Sequence, residues 1–162
     1  MYTMKSTFKL FVFLLFVQLS VLSQEGKVIG VKDGDTVVIL DDDKNQYTVR
    51  VADIDCPEKN QPFGKKAKWF TSEQIFGKKV SIQVKDSNKP TDRWGRIIGY
   101  LIYEDKNLSH ELLKAGLAWH YKYYSSDKVM ASLESTAKKQ KIGLWSDPNP
   151  INPYNWRKGE RN

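Results

Sequence analysis

The stretch KVIGVKDGDTVVILDDDKNQYTVRVA, residues 27–52, decides the fold. Lys27–Lys32 alternates weakly, Asp33-Gly34 is a tight-turn signal, and Thr36–Leu40 is β-branched and apolar. The polar run Asp41-Asp42-Asp43-Lys44-Asn45 forms a second turn into residues 46–52, where Tyr47, Val49 and Val51 share one face. Three consecutive strands joined by short turns make a meander, the opening of a small barrel or sandwich.

Outward from that meander, the pattern changes to a helix. Pro62 suits a first turn, Ala67, Phe70 and Gln74 recur at helical spacing, and Gly77 stops the run. Lys79–Lys85 returns to strand alternation, residues 86–95 form a polar loop holding Pro90, and Arg96–Tyr103 supplies a fifth strand. Two further helices are expected, over Leu108–Ala115 and Asp127–Lys141, the second with Met130, Leu133 and Ala137 on its buried stripe. Five short strands with a helix inserted after the third predict an α+β, mainly β chain: a five-stranded OB-type Greek-key barrel with about three helices packed on it.

The N-terminus reads differently. Lys5 and Lys9 precede an apolar run from Leu10 to Val17, and Val21-Leu22-Ser23 offers a cleavage point before Gln24. Residues 1–23 are therefore expected to be a secretory signal peptide, too short in its apolar run for a spanning helix. That predicts a secreted or periplasmic domain over 24–146, with no stable membrane association after cleavage, and a loosely held polar tail over 147–162. Without residues 1–23, which hold two lysines and no acid, 24 basic and 19 acidic residues remain, a net charge of +5. Such a domain is drawn to polyanions. Cys56 is the only cysteine, so no intramolecular disulfide forms and the core must carry stability.

Five carboxylates and an arginine are set out along the stretch from Asp33 to Glu58, in Asp33-Gly34-Asp35-Thr36, Arg50 and Asp53-Ile54-Asp55-Cys56-Pro57-Glu58. A second arginine follows in Asp92-Arg93-Trp94-Gly95-Arg96. Converging carboxylates hold hard divalent cations, and arginine forks match phosphate oxygens. Locally each motif also has a plain reading: Asp33-Gly34-Asp35 as turn chemistry, each arginine as a surface ion pair. Arg50 precedes Asp55 by five residues, which puts them on opposite faces of an ideal strand. A bulge or sharp curvature near Ala52-Asp53 is needed to unite them. The histidines, His110 and His120, have no zinc-like spacing, and His120 reads as structural.

The ordered set Asp-Gly-Asp-Thr, Arg five residues before Asp, Asp-x-Pro-Glu and Thr-Asp-x-x-Gly-Arg resembles the staphylococcal (micrococcal) nuclease, or thermonuclease-like, family. The similarity runs from about Val28 to Trp145. It implies that Asp35 and Asp55 bind calcium with the backbone carbonyl of Cys56, where the family commonly has Thr. It implies that Glu58 positions or deprotonates the attacking water, and that Arg50 and Arg96 grip the scissile phosphate. Asp33 matches a motif acid without a clear catalytic role. The implied activity is cleavage of DNA and RNA to 3′-phosphate ends, with unpaired strands preferred and a monomer as the default state. Arg93, Trp94, Tyr121 and Tyr123 are the expected substrate contacts, the aromatics by stacking on bases. The alternative is a non-catalytic OB-fold nucleic-acid-binding module, from which one or more of these acids and arginines is usually missing.

Overall fold

The computed structural model describes residues 24–161, so the expected signal segment lies outside the described residues. Three antiparallel strands open the described residues: β1 (Gln24–Asp33), β2 (Thr36–Leu40) and β3 (Gln46–Val51). A two-residue β4 (Ile54–Asp55) and helix α1 (Gly64–Ile75) follow, then β5 (Lys79–Val84) and β6 (Ile97–Tyr103). The remainder comprises β7 (Lys106–Asn107), α2 (Leu108–Lys114), β8 (Trp119–His120), α3 (Lys128–Gln140), a 3₁₀ turn (Gly143–Ser146) and α4 (Pro153–Arg157). Among the described residues, no helix is long and apolar enough to cross a membrane.

The sheet order is β3-β2-β1-β5-β6-β7, and an additional parallel pairing of β3 with β6 closes five strands into the expected barrel. β1 serves two neighbours, pairing β2 from Lys27 onward and β5 through Gln24–Lys27. Two register irregularities along β1 add the twist that a closed barrel needs. Inside lie Val28, Val37, Ile39, Val49, Ile82 and Leu101, all fully buried. Each such side chain contributes roughly 1.5–3 kcal/mol by leaving water.

α1 covers the barrel with Gly64, Ala67, Thr71 and Ile75, a stripe at helical spacing. Its first turn begins later than Pro62, because Phe63 is held at φ 67 and cannot continue a helix backward. Gly34 is required for closeness: a Cβ there would lie 2.8 Å from both Ala67 Cβ and Cys56 Sγ. The Thr71 hydroxyl donates to the Gly34 carbonyl at 2.6 Å, locking α1 onto the turn that carries Asp35.

The C-terminal segment departs from expectation. Rather than hanging loosely, it returns to the barrel and forms α4, capped by the Asn152 side chain accepting from Tyr154 N, with Pro153 buried at the first turn. The Gln61 side-chain amide donates to the Ile151 carbonyl at 2.7 Å. Asn followed by Pro is a helix-start signal, but a polar, proline-rich stretch of this length outweighs it when composition alone is read.

Candidate active site

The meander places the acids. Thr36 pairs with Arg50 in register, so Asp35, one residue before β2, lies beside the end of β3, and Val51 N donates to the Asp35 carbonyl at 2.8 Å. The parallel β3–β6 pairing sets Arg50 opposite Ile98, within two residues of Arg96 along β6. After Val51 the chain turns sharply at Asp53, whose φ is 64, before β4 delivers Asp55. This is the curvature that brings Arg50 and Asp55 to one side.

Asp53 is buried, and its carboxylate meets Lys85 Nζ and the Tyr100 hydroxyl. Its carbonyl accepts from Tyr121 N at 2.8 Å. Asp53 thus fixes the turn. β4 is held by β8, with Ile54 opposite His120 and Asp55 opposite Trp119.

Arg50 sits at the centre. Its Nη1 lies 3.1 Å from Asp35 Oδ2 and donates to the Val51 carbonyl at 2.9 Å, while Nη2 donates to Asp55 Oδ1 at 2.9 Å. Burial opposes the guanidinium's charge, but the Asp35 and Asp55 carboxylates outweigh it and raise its pKa. Cys56 N donates to Asp35 Oδ2 at 2.6 Å, so the residue joins the site through its backbone. The thiol is packed away, and burial pushes its pKa well up. For Asp55, burial raises the carboxyl pKa against the pull of Arg157 and Arg50.

Glu58 stands at the mouth. Its backbone N–H donates to Gln61 Oε1 at 3.0 Å, and its carboxylate accepts from Arg157 Nη1 at 2.6 Å. Arg157 also reaches Asp55, through Nη2 to Oδ2 at 2.9 Å and Nη1 to Oδ1 at 3.3 Å. This arginine is absent from the sequence-derived set. The Asn152-Pro153 start of α4 is the signal by which it could have been found.

Asp33 is more than a turn residue. Its Oδ1 is buried without a hydrogen-bond partner, and its pKa is raised to about 6. Burial is the main cause, reinforced by Asp35 and Glu58 and opposed by Arg50 and Arg96. Arg96 is thus within electrostatic reach of the acids, though its guanidinium is held by Asp92, with Nε and Nη2 each 2.7 Å from Oδ2. Asp92 also accepts from Trp94 N and Arg96 N, and Gly95 takes φ 75, so the Asp-x-x-Gly-Arg sequence is one hydrogen-bonded turn.

The expected substrate contacts separate into two groups. The Arg93 guanidinium stacks 4.1 Å from the exposed Trp94 ring. Trp94 and Arg96 line an open groove of about 410 Å³ shared with Lys32, Tyr47 and Thr48. Tyr121 feels the Asp55 charge and packs edge-on to Tyr124. Tyr123 is 83% exposed and packs edge-on to the other side of Tyr124.

A hard cation fits this donor set. Asp35 and Asp55 face one small volume, as their shared guanidinium shows, and the partnerless Asp33 oxygen lies close by. Among the described residues, no three His, Cys, Asp or Glu side chains are gathered to enclose an ion. An ion here would complete its shell with main-chain carbonyl, water and substrate phosphate, as hard cations in phosphoryl chemistry do.

His120 is buried, with Nε2 3.0 Å from Ser125 Oγ. Burial lowers its pKa, outweighing Glu134, Asp53 and Asp127, while Lys122 adds to the lowering. Its neutral form therefore stabilises the fold above the unfolded histidine pKa of about 6.5, and that stability is lost as pH falls through the lower folded value. Denaturant unfolding between pH 7 and 5 should show this loss, and His120→Asn should flatten it.

Comparison with known proteins adds an independent line. A family model described as Staphylococcal nuclease homologue matches residues 48–147. A Haemophilus influenzae protein named as an uncharacterized endonuclease is 38% identical over 151 residues, covering 91% of this chain and 83% of its own. The micrococcal nuclease of Shigella flexneri is 35% identical over 151 residues, covering 85% and 82%. The staphylococcal-like nuclease CAN1 of Arabidopsis thaliana is 34% identical over 116 residues, 72% of this chain but 35% of the plant protein.

Proposed function

We propose that this chain, which belongs to the Staphylococcal nuclease homologue family, is a secreted calcium-dependent endonuclease hydrolysing the phosphodiester bonds of DNA and RNA. The observation that carries the reading is the meeting of Asp35 and Asp55 on Arg50, with Glu58 at the open edge. An oxygen-bound divalent ion supplies charge neutralisation and a Lewis acid at the phosphate. Asp35 and Asp55 would hold that ion, with the Cys56 carbonyl beside them. Glu58 orders a water for in-line attack and takes its proton. Arg50 and Arg96 stabilise the charge that builds on the phosphorus oxygens, and the leaving 5′-oxygen departs opposite the water, taking a proton from solvent to become the 5′-hydroxyl. The family resemblance implies the 5′-oxygen as leaving group, which leaves the phosphate on the 3′ end.

Substrate beyond the scissile phosphate runs along the groove beside Arg96, where Trp94 offers a stacking face and Lys32 and Arg93 offer charge. Open strands reach these surfaces more readily than duplex, which supports a single-strand preference. Purified chain mixed with single-stranded DNA or RNA should degrade both with calcium and neither with excess chelator. The products should accept a 3′-end label only after phosphatase treatment. Intact polymer under both conditions overturns the proposal.

A further inference from the structure

Arg157 reaches the site from the far end of the chain, and its placement is built. The Asn152 cap and buried Pro153 fix the start of α4. Gln61 ties that segment to the site, donating from Nε2 to the Ile151 carbonyl while Oε1 accepts from Glu58 N. The guanidinium then spans both oxygens of Asp55 and one of Glu58. Its side chain is 42% exposed, Glu58's is 35% exposed and Asp55's 3%. A half-open glutamate on a loop samples several rotamers when alone; a charge-assisted bond at 2.6 Å removes that freedom.

We propose that Arg157 is a positioning residue of the active site, fixing the Glu58 carboxylate against Asp55 while weakening the hold of that site on a divalent ion. It rests on the nuclease reading above. The two effects have opposite signs because the geometry has two consequences. Glu58 is aimed by the guanidinium, which favours turnover. Asp55 shares its oxygens with a positive charge, which a second cation must displace or sit beside. A residue serving only to hold the tail would produce neither signature, and one serving only to block the site would slow turnover when present.

The test uses the full chain carrying Arg157→Gln. Calcium affinity is read by calorimetry without nucleic acid, and single-turnover cleavage of single-stranded DNA is read at saturating calcium. The rate should fall roughly 10–100-fold, as for groups that orient a metal site's ligands, while calcium binds several-fold more tightly. Arg157→Lys should restore the weaker calcium binding but only part of the rate, because an ammonium cannot span both carboxylates. An unchanged or faster rate for Arg157→Gln overturns the proposal, as does weaker calcium binding. Asn152→Ala, which keeps Arg157 but loosens the helix that places it, should move both readouts the same way by less; movement in neither overturns it too. Wild-type protein inert toward nucleic acid would instead remove the nuclease reading, and the calorimetry would still report on Arg157.

Discussion

Arg50→Ala is expected to abolish cleavage and, in metal-free buffer, to destabilise the fold by about 3–5 kcal/mol, the usual cost of removing one partner of a buried ion pair. The Arg50 side chain is only 15% exposed, and those of Asp35 and Asp55 are 9% and 3% exposed. Without the guanidinium, Asp35 loses its paired cation, and Asp55 retains only Arg157. Two facing carboxylates then repel in a medium that screens poorly. Calcium should raise the melting temperature of the variant more than that of wild type, because the ion supplies part of the missing charge. Arg50→Lys should recover some stability and little activity, since one ammonium cannot serve Asp35, Asp55 and the Val51 carbonyl together. Thermal melts with and without calcium, beside single-turnover rates, check the whole set. A variant as stable as wild type in chelator would mean that the carboxylates do not depend on this guanidinium.

Gly64→Ala should be nearly as severe for activity although it adds one methyl group and no charge. A Cβ at Gly64 would lie 1.8 Å from the Glu58 carbonyl oxygen and 2.7 Å from the Glu58 carbonyl carbon. Both are backbone atoms, so the Glu58–Gln61 turn must move and carry the Glu58 carboxylate with it. Displacement of about 1 Å in a positioned group costs on the order of 10²-fold in rate. Overpacking adds a stability loss of about 1–3 kcal/mol. Gly30→Ala is the matched control, because its Cβ would meet Val38 Cβ at an ordinary 3.4 Å. Steady-state kinetics should show a fall in kcat for Gly64→Ala with KM little changed, and near-normal values for Gly30→Ala.

The barrel strands were legible because each is bounded by turn residues and alternates in and out. Thr36–Leu40 comes out with its expected limits, and the strand over 46–52 ends one residue early. Barrel closure was less visible, since the β3–β6 pairing is parallel and joins residues nearly fifty positions apart. β4, β7 and β8 are two residues each, too short to show any period. The buried Glu134 on α3 also escaped pattern reading. Its oxygens are met by His120 N and by Lys122 and Lys138, partners supplied by the tertiary fold.

The candidate site's residue types stand in the sequence, while the geometry by which Asp35, Arg50 and Asp55 meet does not. Arg50 and Asp55 belong to opposite faces of an ideal strand, and only the left-handed Asp53 reconciles them. Asp tolerates that conformation better than most residues, so the sequence permits the turn without announcing it. Asp33 looked like turn chemistry but carries a buried, partnerless oxygen beside the other acids. For Arg157 the Asn152-Pro153 helix start is the only local signal, and a hundred residues separate it from the carboxylates it touches.

In the proposed mechanism Glu58 aims a water at a phosphate held by Arg50 and Arg96 beside an ion on Asp35 and Asp55. Its most direct test compares Glu58→Gln with wild type under single-turnover conditions in saturating calcium, using one end-labelled single-stranded oligonucleotide. The amide keeps the shape of the carboxylate but cannot accept the proton. Cleavage should slow at least about 10²-fold, the low end of what general-base catalysis contributes, while oligonucleotide affinity changes little. Cleavage by Glu58→Gln at the wild-type rate and unchanged affinity would mean that Glu58 is not the base.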